Sequence, residues 1–322
     1  FVLILTLSHS GHSQNLVQSD IPKSTMLYEK TTVSEDVVYK INRAGSAVHL
    51  DIFTPKISRN QKLPVVIYVH GGGWVEGDKM IRADTYIEDM ILKLTERKYA
   101  VISINYTLVN EDLHFPLPVE DTKDAVRWVR KNSDKYNFDP NNIGFFGASA
   151  GAHLSMLSAY TPDTEFAGDP ELSEYSGRVN YVINNFGPSD MNTLLHTRAG
   201  KIPVFFIGLF SKKIVDLREK LVYGITGYDI KKDKRKVVEY LKTISPVYYV
   251  QGGIPTLTIQ GNKDQVVPLK QAKKLYRKLK KENIQNHLAI VENGLHGFRT
   301  TDKEELDKIV DEMVNFIETQ KK

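Results

Sequence analysis

The sequence predicts an α/β fold built on a mostly parallel, doubly wound sheet of eight strands with helices on both faces. Short runs rich in β-branched residues recur along the chain with turn signals between them, and helical patterns separate the later runs. The first runs follow one another without helices, so we expect these strands to pair antiparallel at one edge. The predicted strands are Val37–Ile41, Val48–Phe53, Pro64–Val69, Ala100–Tyr106, Ile143–Phe146, Tyr181–Asn185, Thr256–Gln260 and His287–Val291.

Helices are predicted where apolar residues repeat with a period of about 3.6 residues. The last of these patterns carries an apolar stripe between Leu306 and Ile317, which indicates packing against the sheet rather than a surface for a partner. The predicted helices lie near Ile81–Arg97, Val119–Lys135, Ala150–Tyr160, Leu269–Lys281 and Lys303–Glu318.

The alternation of strands and helices predicts one α/β domain over residues 25–322, interrupted at about residues 191–246. This segment mixes an apolar run, Pro203–Phe210, with basic residues, so we predict an inserted cap rather than a separate domain. Near the start of the chain, the apolar run Phe1–Leu7 is too short to span a bilayer. Small residues follow it before Gln14, as at the end of a signal peptide. Residues 1–13 are therefore predicted to be a signal-peptide remnant, and the protein to be secreted or periplasmic.

Composition excludes several classes of function. The 322 residues carry a net charge of +4, and the lysines are spread out or lie on helix faces, so we predict no nucleic-acid partner and no membrane span. The absence of cysteine excludes disulfides, thiolate metal sites and a cysteine nucleophile. No dense cluster of metal ligands and no phosphate-binding glycine motif is present, so neither a metal nor a cofactor is predicted. The oligomeric state stays open.

The segment Gly147-Ala148-Ser149-Ala150-Gly151 follows one predicted strand and opens a predicted helix. A sharp strand-to-helix turn holds its central residue in a strained conformation, and flanking glycines remove side chains that would clash. The hydroxyl of Ser149 is then exposed above the sheet, where the helix N-terminus favours negative charge. Ser149 is the predicted nucleophile.

A serine hydroxyl is a poor nucleophile until a base accepts its proton. His296 lies in a glycine-containing loop after the last predicted strand, so it emerges at the same edge of the sheet as Ser149. Asp264, directly after the strand Thr256–Gln260, is the predicted carboxylate that orients this histidine. Asp190 follows another strand and remains the rival carboxylate. The order serine, aspartate, histidine is the one expected for α/β-hydrolases.

The run His70-Gly71-Gly72-Gly73-Trp74 follows the buried strand Pro64–Val69. Glycines let the backbone approach a substrate closely and adopt unusual torsion angles. The N–H groups of Gly72, Gly73 and Ala150 are predicted to form an oxyanion hole, which stabilises the negative charge that develops during attack on a carbonyl. His70 is expected to brace this loop. Trp74 either packs beside the loop or contacts substrate, and both alternatives stay open.

Together these motifs resemble the α/β-hydrolase esterases of the hormone-sensitive-lipase-like branch and of the feruloyl-esterase-like and acetyl-xylan-esterase-like branch. The resemblance extends from about Val48 to Ile317. It implies a Ser149–His296–Asp264 triad that needs no cofactor. The motifs that carry the resemblance are His70–Trp74, Gly147–Gly151, Gly261–Asp264, His296–Phe298, Asn105–Leu108, Phe115–Pro118 and Phe186–Asp190.

The resemblance implies a serine carboxylester hydrolase that acts through an acyl-enzyme. Its expected substrates are short-chain or aromatic acyl esters, including acetyl or feruloyl esters of plant polysaccharides. Two alternatives remain: an arylformamidase-like hydrolase that cleaves amides, and a catalytically silent binding module with the same fold.

Overall fold

The computed structural model describes residues 21–57, 61–198, 212–299 and 301–321. The predicted signal-peptide remnant, residues 1–13, lies outside the described residues. The described chain forms one eight-stranded sheet with helices on both faces, so the predicted fold class is confirmed. The strands are β1 Thr31–Ile41, β2 Ala47–Pro55, β3 Leu63–Val69, β4 Ala100–Ile104, β5 Phe138–Ala148, β6 Val182–Asn185, β7 Thr256–Gly261 and β8 Asn286–Val291.

The strand order is β1-β2-β4-β3-β5-β6-β7-β8. Strand β2 is antiparallel to both of its neighbours, and every other neighbouring pair is parallel. The expectation that the first strands pair in sequence is right for β1 and β2 but wrong for β2 and β3, because β4 lies between them. All seven residues of β3 are buried. Such a strand needs a hydrogen-bonded neighbour on each side, which places it inside the sheet.

Helices cover both faces of the sheet and form two hydrophobic cores. One core contains Met90 and Val310, from the second and the last helix, and the other contains Val126 and Leu154. The apolar stripe predicted for the last helix is buried from Ile309 to Ile317. The helices are α1 Thr25–Lys30, α2 Tyr86–Glu96, α3 Leu117–Lys131, α4 Ala150–Tyr160, α5 Met191–Leu194, α6 Lys212–Thr226, α7 Lys234–Thr243, α8 Lys270–Lys281 and α9 Lys303–Thr319.

Helices α5, α6 and α7 belong to the 191–246 segment, as we call the predicted cap. Its apolar run Pro203–Phe210 lies outside the described residues. The helical patterns did not single out these three helices or the short α1. In the part of the chain that the structure describes, no helix is both long and apolar enough to cross a bilayer.

Candidate active site

Ser149 occupies the turn between β5 and α4 in a strained backbone conformation. Its φ is +53° and its ψ is −117°, outside the regions that residues other than glycine normally adopt. Such torsion angles cost about 1–3 kcal/mol and persist only where surrounding contacts hold them. The Ser149 N–H donates to the Asn185 carbonyl oxygen at 2.8 Å, and the Ser149 carbonyl accepts from the His153 N–H at 3.1 Å. The side chain is partly exposed at the carboxyl edge of the sheet.

The start of α4 lies against the end of β3, and a glycine permits this approach. A β-carbon on Gly151 would lie 2.0 Å from the carbonyl oxygen of Val69 and 2.4 Å from that of His70, closer than atoms can come. The helix N-terminus, with its N–H groups and its partial positive charge, therefore starts directly beside the loop that follows β3.

The three residues predicted for the triad lie together at this edge. The Nε2 atom of His296 is 2.9 Å from the Ser149 hydroxyl, and its Nδ1 atom is 2.8 Å from Oδ2 of Asp264. An ionised carboxylate only accepts hydrogen bonds, so Nδ1 carries the proton and Nε2 presents its lone pair to the serine. In this tautomer His296 can accept the hydroxyl proton.

Asp264 is buried and held by several donors besides His296. Its Oδ1 accepts from the backbone N–H groups of Val266 and Val267 at 2.8 and 2.9 Å, and its Oδ2 accepts from Nε2 of Gln260 at 2.9 Å. These bonds hold the carboxylate in place beside the imidazole. Lys263 N–H donates to the Gly294 carbonyl at 3.1 Å, which joins the loops that carry the acid and the base.

The rival carboxylate, Asp190, is engaged elsewhere. It caps α5 by accepting from the N–H and the hydroxyl of Thr193 at 3.1 and 2.9 Å, and it forms an ion pair with Lys274. Burial disfavours its charged form, but the bonds from Lys274 and Thr193 together outweigh that effect and lower the pKa of Asp190. The structure therefore places Asp264, not Asp190, beside the candidate base.

The loop His70–Trp74, which we call the glycine loop, lies directly against Ser149. A β-carbon on Gly71 would be 3.4 Å from that of Ser149. Gly72 and Gly73 have φ values of +111° and +59°, in the left-handed region that favours glycine. In the described part of the chain, no protein acceptor is recorded for the N–H groups of Gly72, Gly73 and Ala150. These groups have the backbone freedom and the unused donors that an oxyanion hole requires.

His70 braces this loop from its buried side. Its Nδ1 lies 2.7 Å from the Gly71 carbonyl oxygen, and its ring stacks on Tyr106 with the centroids 4.3 Å apart. The Tyr106 hydroxyl donates to the His70 carbonyl at 3.2 Å. Burial lowers the pKa of His70 to about 4, because the charged form would lose its hydration. His70 is therefore neutral at physiological pH.

Of the two alternatives for Trp74, the structure shows the packing one. The side chain is only 2% exposed, and its indole Nε1–H donates to Nδ1 of His153 at 3.2 Å. The ring also packs edge-on against Phe115, with centroids 6.2 Å apart. This burial gives no support to a direct contact between the indole and a substrate.

Three further residues around the site were given no role in it by the sequence. Gln260 bonds to Asp264, His153 bonds to Trp74, and the ring of Phe186 lies edge-on to the His296 ring at 4.8 Å between centroids. Gln260 could have been found, because it is an uncharged polar residue at the end of a predicted buried strand and four residues before Asp264. Phe186 opens one of the motifs that carry the family resemblance, but neither that motif nor the position of His153 predicts these contacts.

This arrangement can move a proton from a serine hydroxyl to an imidazole while free amides face the developing charge. Among the described residues, no group of three or more histidines, aspartates or glutamates is placed to hold a metal ion. The sheet, the turn at Ser149 and the order of the three side chains define an α/β-hydrolase.

A family profile gives a narrower assignment. The profile of the BD-FAE family matches residues 50–279, and the chain belongs to this family. The match includes Ser149, Asp264 and the glycine loop, whereas His296 lies beyond it.

Known proteins of similar sequence or structure include esterases and a deacetylase. The chain is 28% identical over 234 residues to esterase LipC of Mycobacterium tuberculosis, covering 72% of this chain and 52% of LipC. It is 28% identical over 206 residues to arylacetamide deacetylase of Oryctolagus cuniculus, covering 62% of this chain and 50% of the relative. The chain thus spans about half the length of these two relatives. A truncated carbohydrate esterase from gut microbiota has a similar structure, with a TM-score of 0.69, 24% identity and coverage of 89% and 97%.

Proposed function

We propose that this protein is a serine carboxylester hydrolase that acts through an acyl-enzyme. The observation that carries the proposal is the pair of hydrogen bonds from Ser149 to His296 and from His296 to Asp264, at 2.9 and 2.8 Å, beside the glycine loop. The esterases among the similar proteins support the same activity. No resident metal or cofactor takes part in the proposed reaction.

The reaction follows from the positions of these groups. His296 takes the proton of Ser149 as the serine oxygen bonds to the ester carbonyl carbon, and the carbonyl oxygen becomes negatively charged beside Gly72, Gly73 and Ala150. The bond to the alcohol oxygen then breaks, and His296 returns the proton to the departing alcohol. The same histidine takes a proton from water as the water attacks the acyl-enzyme, and it returns that proton to the oxygen of Ser149 as the acid leaves.

Short-chain or aromatic acyl esters are the proposed substrates, with acetyl or feruloyl groups on plant polysaccharides as the specific candidates. The structural similarity to a carbohydrate esterase from gut microbiota supports this choice. Export from the cell would bring the enzyme to such polymers, and we propose a secreted or periplasmic location on the basis of the apolar start of the sequence.

Labelling with a fluorophosphonate probe tests the nucleophile, and a panel of esters tests the substrate. We expect the wild-type protein and the surface variant Ser173→Ala to be labelled and Ser149→Ala to remain unlabelled. The panel comprises 4-nitrophenyl acetate, butyrate and octanoate, methyl ferulate and acetylated xylan. If the wild-type protein is neither labelled nor active on any of these esters, the proposal of an enzyme is wrong. That result would favour a catalytically silent binding module.

An amide hydrolase is the second candidate, and the similarity to an arylacetamide deacetylase favours it. The same serine and histidine could cleave an amide, which has a poorer leaving group and depends more strongly on protonation by His296. N-formylkynurenine and 4-nitroacetanilide, assayed beside the esters, separate the two. A kcat/KM for either amide above that for every ester would replace the ester proposal with this one.

A further inference from the structure

His153 lies on the helix that begins after Ser149, completely buried, and uses both ring nitrogens. Its Nδ1 is 3.2 Å from the indole Nε1 of Trp74, and its Nε2 is 2.7 Å from the carbonyl oxygen of Ile244. An indole nitrogen can only donate and a carbonyl oxygen can only accept, so His153 is neutral with its proton on Nε2. The histidine thus joins the glycine loop to the end of the 191–246 segment.

The bond to Trp74 bears directly on the geometry of the glycine loop. Trp74 follows Gly73 and has a φ of +68°, a strained value for a residue with a side chain. Its carbonyl oxygen accepts from the Val109 N–H at 2.9 Å, and its indole is held by His153. These two anchors fix the orientation of the peptide units just before it, those of Gly72 and Gly73.

The 191–246 segment contacts the same neighbourhood through a second route. The Phe115 N–H donates to the Ile225 carbonyl at 3.1 Å, and the Tyr240 hydroxyl donates to the Phe115 carbonyl at 2.6 Å. The Phe115 ring lies edge-on to both His153 and Trp74, with centroids 5.8 and 6.2 Å apart. Helices α6 and α7 therefore pack on the residues that hold the glycine loop.

We propose that His153 is a positioning residue, which fixes the oxyanion hole through Trp74 and links that hole to the 191–246 segment through Ile244. This inference rests on the proposed function and deepens it. Because α4 begins directly after Ser149 and carries His153, one helix positions both the nucleophile and the histidine that supports the oxyanion hole. Only a side chain with an acceptor on one side and a donor on the other can make both bonds.

Two substitutions of His153 each remove one of its two hydrogen bonds and retain the other. The amide oxygen of an asparagine lies near the position of Nδ1, so His153→Asn retains an acceptor for Trp74 and loses the bond to Ile244. The longer His153→Gln can reach the Ile244 carbonyl and loses the acceptor for Trp74. Trp74→Phe retains the aromatic packing and removes the indole donor. The control is Tyr249→Phe, which removes a hydrogen bond of 2.8 Å to the Thr243 carbonyl, beside Ile244, without touching His153.

Steady-state kinetics on 4-nitrophenyl acetate separates positioning from general packing. We expect His153→Gln and Trp74→Phe each to lower kcat about 10- to 100-fold with little change in KM, because a displaced donor weakens only transition-state binding. His153→Asn should keep more activity than His153→Gln, and Tyr249→Phe should match the wild-type protein. The double variant that combines His153→Gln with Trp74→Phe should be no less active than Trp74→Phe alone. A kcat within twofold of wild type in Trp74→Phe would overturn the inference, as would a rise in KM alone.

Hydrogen exchange at the indole N–H provides a readout that does not depend on activity. The chain has two tryptophans, so the resonance of Trp128 serves as an internal reference for that of Trp74. We expect slow exchange at Trp74 in the wild-type protein and in His153→Asn, and faster exchange in His153→Gln. An unchanged rate in His153→Gln would overturn the inference even in an active enzyme. A wild-type protein without esterase activity would contradict the proposed function, and the exchange rates would still decide whether His153 holds Trp74.

Discussion

The Nε2 atom of His296 lies 2.9 Å from the hydroxyl of Ser149, although 147 positions separate the two residues in the sequence. The sheet brings them together, because Ser149 follows β5 and His296 follows β8, and the carboxyl ends of both strands lie at one edge. The strain at Ser149 is the cost of this placement, since its backbone has a φ of +53°. Activity and stability therefore make opposite demands at this position.

Substitution of Ser149 should separate activity from stability. Ser149→Ala removes the nucleophile, and we expect kcat to fall by on the order of 10⁴–10⁶ while the protein remains folded. Ser149→Gly removes the nucleophile and also the steric strain. We therefore expect this variant to be inactive and about 1 kcal/mol more stable than the wild-type protein. Urea unfolding of the three proteins measures the difference. A glycine variant less stable than the alanine variant would contradict the account of strain.

Two aspartates follow strands at the same edge of the sheet, and only one should matter for the reaction. Asp264→Asn keeps the side-chain shape but removes the charge beside His296, and we expect kcat to fall by about 10³–10⁴. Asp190→Asn should leave kcat within about threefold and lower the stability by about 1 kcal/mol, because the partly exposed Lys274 loses its partner. Kinetics and urea unfolding of both variants give the comparison. Equal losses of kcat would count against the choice of Asp264.

Much of this site could be predicted from the sequence because its chemistry depends on local motifs. The turn at Ser149 and the glycine loop each have a pattern within five residues, and Asp264 and His296 each follow a recognisable strand. The place of β4 between β2 and β3 could not be predicted, since it depends on which strands need neighbours on both sides. The bonds of His153 to Trp74 and Ile244 were equally hidden, because they join three distant parts of the chain.

Close packing of α4 against β3 predicts a strong effect of a single methyl group. In Gly151→Ala the β-carbon would lie 2.0 Å from the Val69 carbonyl oxygen, so helix and strand must move apart. We expect a loss of stability of about 3 kcal/mol or more, or a failure to fold. The matched control is Gly45→Ala, where φ is +76° but nothing lies within 4 Å of the new carbon. There we expect a loss of about 1–2 kcal/mol from the backbone alone. Similar losses in the two variants would contradict the packing argument.

Two buried histidines should make the protein less stable in mild acid. Burial lowers the pKa of His70 and of His153 to about 4, whereas an unfolded chain binds a proton at each histidine near pH 6.5. Between these values the unfolded state holds more protons than the folded state, so the free energy of unfolding falls as the pH falls from about 6.5 towards 4. From pH 7.5 to 5.5 each histidine should contribute a loss of about 1.4 kcal/mol, and both together about 3 kcal/mol.

Urea unfolding at these two pH values, with the wild-type protein and His153→Asn, tests this linkage. Asparagine does not titrate, so the variant should lose about 1.4 kcal/mol less stability than the wild-type protein over the same interval. Carboxyl groups whose pKa burial raises, such as Asp124 and Glu120, act in the opposite direction, because their folded state takes up protons first. The comparison with the variant cancels this contribution. If the wild-type protein and His153→Asn show the same dependence on pH, His153 is not the buried neutral group that its bonds to Trp74 and Ile244 require.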